Sequence, residues 1–271
     1  TDPRIVARCR HGAFVEEAEL FDASFWTMSV AEARVTDPQH RLLLERGYEA
    51  LQAGGLDRAR MLGSLVGAFV GTWASEYSAV LRSSPLGKSV YAATAATCSV
   101  TVGRVSFALG LQGPCVSFDT ACSSALAALH GGVHALRRGE CSTSLASGVN
   151  MLFDLEASAV VAQAGMTSAR GHCHTFDSRA DGYVRSDSCT AVSLRAGTTP
   201  SDSPSDAAGT EVLGSCVRQD GKSASLTAPN GQAQRALLWA ALADAAMLSD
   251  QVACVEAHGT GTALGDPIEA R

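Results

Sequence analysis

Apolar residues recur at helical spacing over residues 37–53, DPQHRLLLERGYEALQA, where Leu42, Leu43, Leu44, Tyr48 and Leu51 gather on one side. Asp37-Pro38 ahead of them supplies a start signal, because proline suits the first position of a helix. Short apolar runs bounded by glycines or turn residues predict strands instead. They occupy 64–71 (SLVGAFVG), 115–119 (CVSFD), 145–155 (LASGVNMLFDL, a strand and its exit) and 189–194 (CTAVSL). Beyond a turn-forming stretch the pattern resumes with strands predicted at EVLGSCV (211–217) and VACVE (252–256), a turn at Gln219-Asp220-Gly221 and a helix over 232–248. Strands alternating with helices point to a layered α/β fold.

The Ser, Thr, Pro and Gly of residues 196–210 mark a surface loop, dividing the chain into 1–196, a connector over 197–210, and 211–271. With 46% hydrophobic residues, 18% charged residues and 26 glycines in 271 positions, the chain is expected to build a core of small side chains. The net charge of -6, with no Lys/Arg block interleaved with aromatics, argues against a nucleic-acid partner. No apolar run reaches membrane-span length, and TDPRIVARCRHG lacks a signal-peptide core. Nine cysteines, odd in number and without a C-x-x-C pair, suit a reducing compartment. A cytoplasmic location is therefore expected, with plastid targeting left open. The chain opens without Met and stops just after Asp266-Pro267-Ile268-Glu269, so both ends are expected to be cut.

Two stretches carry candidate chemistry. In SFDTACSSALAALH, residues 117–130, a strand turns directly into a helix near Cys122. A thiol attacks as thiolate, and a helix N-terminus favours that anion and lowers its pKa. The same turn offers N–H groups to an oxyanion. Taken alone, Cys122 reads more readily as a packed small hydrophobe than as a nucleophile, since free cysteine is among the most buried residue types. In VEAHGTGTALGDPIEA, residues 255–270, a strand ends at His258 and a glycine-rich turn carries Thr260 and Thr262. Asp266, Pro267 and Glu269 stand in the N-cap, N1 and N3 order of a capping box. The turn lacks the Walker lysine and the dinucleotide spacing, so a histidine there reads as an acid/base or an oxyanion donor.

Together with DPQHRLLLERGYEAL, GPCVSFDTACSSALAALH and QDGKSASLTAPNGQAQ, this stretch resembles the β-ketoacyl synthase (ketosynthase) domain of modular polyketide synthases, in the thiolase superfamily. The resemblance covers the chain from about Phe14 onward. It implies a thiolase-like five-layered αβαβα fold, incomplete at both ends, with 1–196 as the half carrying the nucleophile and 211–271 as the start of the second half. It implies that Cys122, at the buried N-terminus of a helix, is the acyl-accepting nucleophile. His258 would be the first active-site histidine, and Thr260 and Thr262 would bond the phosphopantetheine arm of the acyl carrier protein. The implied reaction is decarboxylative Claisen condensation of an acyl-Cys intermediate with a malonyl-type extender, in polyketide or fatty acid biosynthesis. No cofactor and no metal is expected in the domain. The implied partners are acyl carrier protein, acyltransferase and other domains of the same synthase, and a second copy in a homodimer formed through the strand before Cys122. The alternative is a non-condensing module that binds carrier protein or shapes a dimer.

The family's second histidine and lysine are expected beyond Arg271, so this segment alone is expected to be inactive and to expose apolar edges. Ser186, Asp187 and Ser188 depart from the family's glycine-rich pattern and are expected to strain that loop if positive φ is required there. His172-Cys173-His174 alternate faces and make a poor metal site. Cys9, Cys98, Cys115, Cys141, Cys189, Cys216 and Cys254 read mostly as core. The run 37–41 reads as a structural helix start with polar tips.

Overall fold

Residues Val66–Thr72 form strand β1, buried along its whole length, as an apolar run covered on both faces should be. The computed structural model to which it belongs describes residues 2–197 and 210–271. Two units can be distinguished: Phe14–Asp154 with Ser186–Gly209, and Thr1–Ala13 with Leu155–Arg185 and Thr210–Arg271. Apart from its two end residues, the expected connector at 197–210 lies outside the described residues.

In the first unit β1 lies between β2 (Cys115–Phe118) and β3 (Thr143–Asn150), both parallel to it, and β4 (Ser188–Arg195) follows antiparallel to β3. Ala68 pairs with Cys115, Val66 with Thr143, and Thr143 with Arg195. All four strands stand where the apolar runs predict them. Alternation sends Val66, Ala68 and Val70 to one face, against Leu43, Leu44 and Leu51 of α1 (Pro38–Ala53) and Val102, Val105 and Leu109 of α2 (Cys98–Leu109). Full burial of each such Leu or Val contributes about 1.5–3 kcal/mol. Phe69 points the other way, into a smaller cluster with Ala128 and Ala135 of α3 (Ser124–Arg137) and with Cys141.

The second unit contains α4 (Leu155–Gln163), α5 (Gly231–Asp244) and α6 (Gly265–Glu269). The strands predicted at 211–217 and 252–256 are not strands among the described residues. β-Branched composition supplies propensity, but a strand exists only through a neighbouring ladder. Segment 211–217 is held instead against the end of α5. The Ser215 amide donates to Asp244 at 2.8 Å, and a Cβ at Gly214 would stand 2.5 Å from the Ala245 nitrogen.

The start of α1 corrects the expectation of polar tips, because Asp37, Gln39 and His40 are all buried. Asp37 caps the helix through Gln39 N–H at 2.8 Å and also takes hydrogen bonds from the Gln39 side chain and the Ser75 hydroxyl. Gln39 accepts from the Met151 amide at 3.1 Å, so the helix start anchors the exit of β3. His40 Nε2 lies 2.8 Å from the Thr101 hydroxyl, while its Nδ1 has no hydrogen-bond partner among the described residues. Burial, with the Arg104 charge adding to it, lowers the His40 imidazole from 6.5 to about 3.

α3 lies unusually close to the sheet because both surfaces are nearly bare. A Cβ at Gly71 would stand 2.4 Å from the Ser124 carbonyl carbon, and one at Gly148 would stand 2.7 Å from the Ala125 Cβ. From the helix side, Gly131 faces Phe118 and Gly132 faces Ser144, at 2.6 and 2.2 Å for an added Cβ. Glycine inside a helix costs about 0.5–1 kcal/mol relative to alanine, and here it admits the sheet.

Gly71→Ala should therefore destabilise the complete domain by about 1–3 kcal/mol, read as a lowered denaturant midpoint. His40 binds its proton only in the unfolded chain between its folded value near 3 and its ordinary 6.5. Stability should accordingly be full above pH 6.5 and fall as the pH drops toward 3. Urea unfolding of wild type and His40→Gln across that window should show a shallower acid decline in the variant.

Candidate active site

Cys122 follows β2 on a short turn whose geometry is set by its neighbours. Ala121 takes a positive φ of 55°, inside a 3₁₀ turn over Ala121–Ser123 that precedes α3. Ser124 clips this turn: its hydroxyl accepts from the Thr120 amide at 2.8 Å and donates to the Ala121 carbonyl at 2.7 Å. Asp119 accepts the Ala121 amide at 3.3 Å, and the Ser123 hydroxyl donates to the Thr120 carbonyl at 2.9 Å. The left-handed residue swings the chain outward before the helix starts, so Ser124 becomes the buried residue and Cys122 stands exposed. This corrects the expected placement at a buried helix terminus. The sulfur precedes the positive end of the 14-residue α3, where a thiolate is favoured.

His258, Thr260 and Thr262 lie in the second unit on a loop fastened at nearly every peptide. Glu269 accepts the His258 and Gly259 amides at 2.5 and 2.8 Å, and Asp266 accepts the Gly261 amide at 3.0 Å. Asp266 and Glu269 therefore do not form the expected capping box. The helix begins at Gly265 with Leu264 as N-cap and no side-chain cap, and both carboxylates reach back to the loop instead. The reason is competition, since a glycine-rich loop without a strand partner leaves amides that need acceptors. Thr260 and Thr262 hydroxyls are 3.2 Å apart, and Thr262 also accepts the Gly265 amide at 3.1 Å. The His258 side chain is exposed.

A second segment, 173–182, straps this loop. The Gly182 amide donates to the Gly261 carbonyl at 2.9 Å, the Phe176 amide to Asp266 at 2.7 Å, and the Thr175 hydroxyl to the Gly259 carbonyl at 2.5 Å. Gly259 and Gly261 both have positive φ, and a Cβ at Gly261 would fall 1.6 Å from the Cys173 carbonyl oxygen. Sequence reasoning missed these braces. The signal was present in two acidic residues one turn apart directly after a loop with two positive-φ glycines.

Other expectations fare unevenly. Ser186 and Ser188 are absent from the positive-φ residues, so the feared loop strain does not arise. Asp187 between them accepts the Leu152 and Val15 amides at 2.8 and 3.3 Å, binding the exit of β3 to an N-terminal segment. The His172 and His174 rings lie 5.5 Å apart, and no group of three His, Cys, Asp or Glu among the described residues is placed to hold a metal ion. Of the cysteines read as core, only Cys141 is buried; Cys98, Cys115 and Cys254 are exposed, and the others are half-buried. Burial raises the Cys141 thiol and pushes that of Cys189 up to about 12, which makes both poor nucleophiles. His130 and His134 stack on α3 with ring centroids 4.2 Å apart.

Comparison with known proteins follows the same residues. The family description "Beta-ketoacyl synthase, N-terminal domain" matches residues 2–199, and "Beta-ketoacyl synthase, C-terminal domain" matches 210–271. The chain is 42% identical over 266 residues to polyketide synthase GfsB of Streptomyces halstedii, and 43% over 267 residues to the pikromycin synthase component PikAII of Streptomyces venezuelae. Each alignment covers 97% of this chain but only 5% and 7% of the relative. The ketosynthase from module 6 of the bacillaene synthase of Bacillus subtilis 168 superposes with a TM-score of 0.87 at 30% identity, over 99% of this chain and 45% of that one. The oxazolomycin ketosynthase OzmH KS7 of Streptomyces albus JA3453 gives 0.84 at 32%, over 95% and 44%. The fold is therefore the thiolase-like α/β fold, and the chain spans less than half of these solved ketosynthase chains.

Gly261→Ala cannot keep the loop as it stands. In hydrogen exchange of the complete domain, the Gly182 and Phe176 amides should lose protection, while those of β1 and β3 keep it.

Proposed function

This chain belongs to the β-ketoacyl synthase family, and from that premise we propose that it supplies the nucleophile and one histidine of a polyketide-extending condensing enzyme. The observation that carries the reading is Cys122, raised on a clipped elbow ahead of α3 with its thiol exposed. In the first step the Cys122 thiolate attacks the acyl thioester on a carrier-protein phosphopantetheine, and the pantetheine thiolate leaves. In the second, a malonyl-type thioester loses CO₂. The resulting enolate carbon attacks the acyl-Cys122 carbonyl, forming the carbon–carbon bond and releasing the Cys122 thiolate.

His258 fits the task of donating a hydrogen bond to the thioester oxygen, where charge builds as CO₂ leaves. Its main chain is held by Glu269, so its position does not have to be organised during the reaction. Thr260 and Thr262, with adjacent hydroxyls, suit the amide groups of the pantetheine arm. The carrier and acyltransferase domains of the same synthase are the proposed partners. A second copy of the chain is another, supported by β2 at the edge of its sheet with Cys115 and Val116 exposed.

Incubating the complete ketosynthase domain with an acyl N-acetylcysteamine thioester should add one acyl group to the protein mass, and Cys122→Ala should abolish the adduct. Undiminished acylation of that variant would refute the nucleophile. His258→Ala should leave acylation in place and slow CO₂ release by about 10²-fold or more.

A further inference from the structure

Gly259 directly follows His258, and its peptide is gripped from both sides. Glu269 takes its amide, and the Thr175 hydroxyl donates to its carbonyl at 2.5 Å. The contact is steric as well as polar, because a Cβ on Gly259, whose φ is +56°, would meet the Thr175 methyl at 2.5 Å. Thr175 is delivered there by an uncommon backbone. Its neighbours His174 and Phe176 both have positive φ, at 45° and 55°, and non-glycine residues adopt that region rarely. Two such residues flanking one threonine form a kink, fixed because Asp266 accepts the Phe176 amide and the Gly261 amide with its two oxygens. Backbone strain that persists is over-determined by its surroundings, and here the surroundings are the histidine loop itself.

We propose that Thr175 is a positioning residue for His258, fixing through the Gly259 carbonyl the Gly259–Thr260 peptide that follows the His258 backbone and so tuning decarboxylation. The inference rests on the role given to His258 above. Thr175 is exposed, so its hydrogen bond competes with water and adds little to folding stability. Its effect lies in where the imidazole stands when the enolate forms, and small misplacements of a reacting group cost large factors in rate.

The test uses the intact synthase module with Thr175→Val, which keeps the methyl contact and removes the donor, and Thr175→Ser, which keeps the donor. Three quantities are measured: melting temperature, Cys122 acylation from an acyl N-acetylcysteamine thioester, and CO₂ release from the malonyl-loaded carrier domain. Thr175→Val should slow CO₂ release about tenfold while acylation stays within about twofold and melting is unchanged. Thr175→Ser should restore CO₂ release to within about threefold of wild type. Unchanged CO₂ release in Thr175→Val, an equal loss in both half-reactions, or failure of serine to restore the rate would each overturn the proposal. A His258→Ala module that releases CO₂ at the wild-type rate would instead overturn the role of His258, so the two readings fail on different variants.

Discussion

The contact between α3 and the two strands beneath it governs the placement of Cys122. Gly71 on β1 and Gly148 on β3 leave no room for a Cβ against Ser124 and Ala125, so the first turn of the helix is pinned in the position that defines the elbow. Everything from Phe118 to Ser124 must fit between the end of β2 and that contact. The chain manages it with one left-handed alanine and a serine that bonds both sides of the turn. Cys122 stands exposed on the turn that this backbone packing defines.

The histidine loop is built on the opposite principle. It has no strand ladder among the described residues. Its amides are satisfied by the carboxylates of α6, and its carbonyls at Gly259 and Gly261 by the strap at 175–182. A loop held by hydrogen bonds alone would be mobile if those bonds were exposed one at a time. Here Asp266, only 6% exposed, joins two segments through one carboxylate, so the two loops share an anchor screened from water.

The difference explains what could be read in the sequence. The four strands of the first unit, α1 and α3 were legible because each is decided by local pattern: apolar runs, Asp-Pro before Leu42, small residues after Phe118. The family was legible from its long motifs, which the matches over residues 2–199 and 210–271 bear out. What stayed hidden depends on residues distant in the chain. Asp266 and Glu269 look like a cap until the glycine-rich loop supplies competing amides, and 211–217 looks like a strand until it has no neighbouring ladder. Gln39 and His40 read as a structural helix start with polar tips, and only the folded chain shows which partners, Met151 and Thr101, those tips bond. The burial of a cysteine was least legible of all: Cys115 stands in the apolar run CVSF yet is exposed on the edge strand β2, whereas Cys141 stands among charged and polar neighbours yet is buried.

Left-handed non-glycine residues fall beside both candidate residues: Ala121 next to Cys122, and His174 and Phe176 around the threonine that holds the Gly259 carbonyl, one residue after His258. Each costs about 1–2 kcal/mol against an unstrained alternative. Each is offset by hydrogen bonds of about 0.5–1.5 kcal/mol, supplied by Ser124 and Asp119 in one case and by Asp266 and Gly259 in the other. Neither turn gains much net stability from this exchange. What each gains is a single backbone conformation, at Cys122 in one unit and in the loop that carries His258 in the other. The glycines at 71, 148, 259 and 261 make those conformations possible by leaving space, and the carboxylates and hydroxyls around them make the alternatives worse.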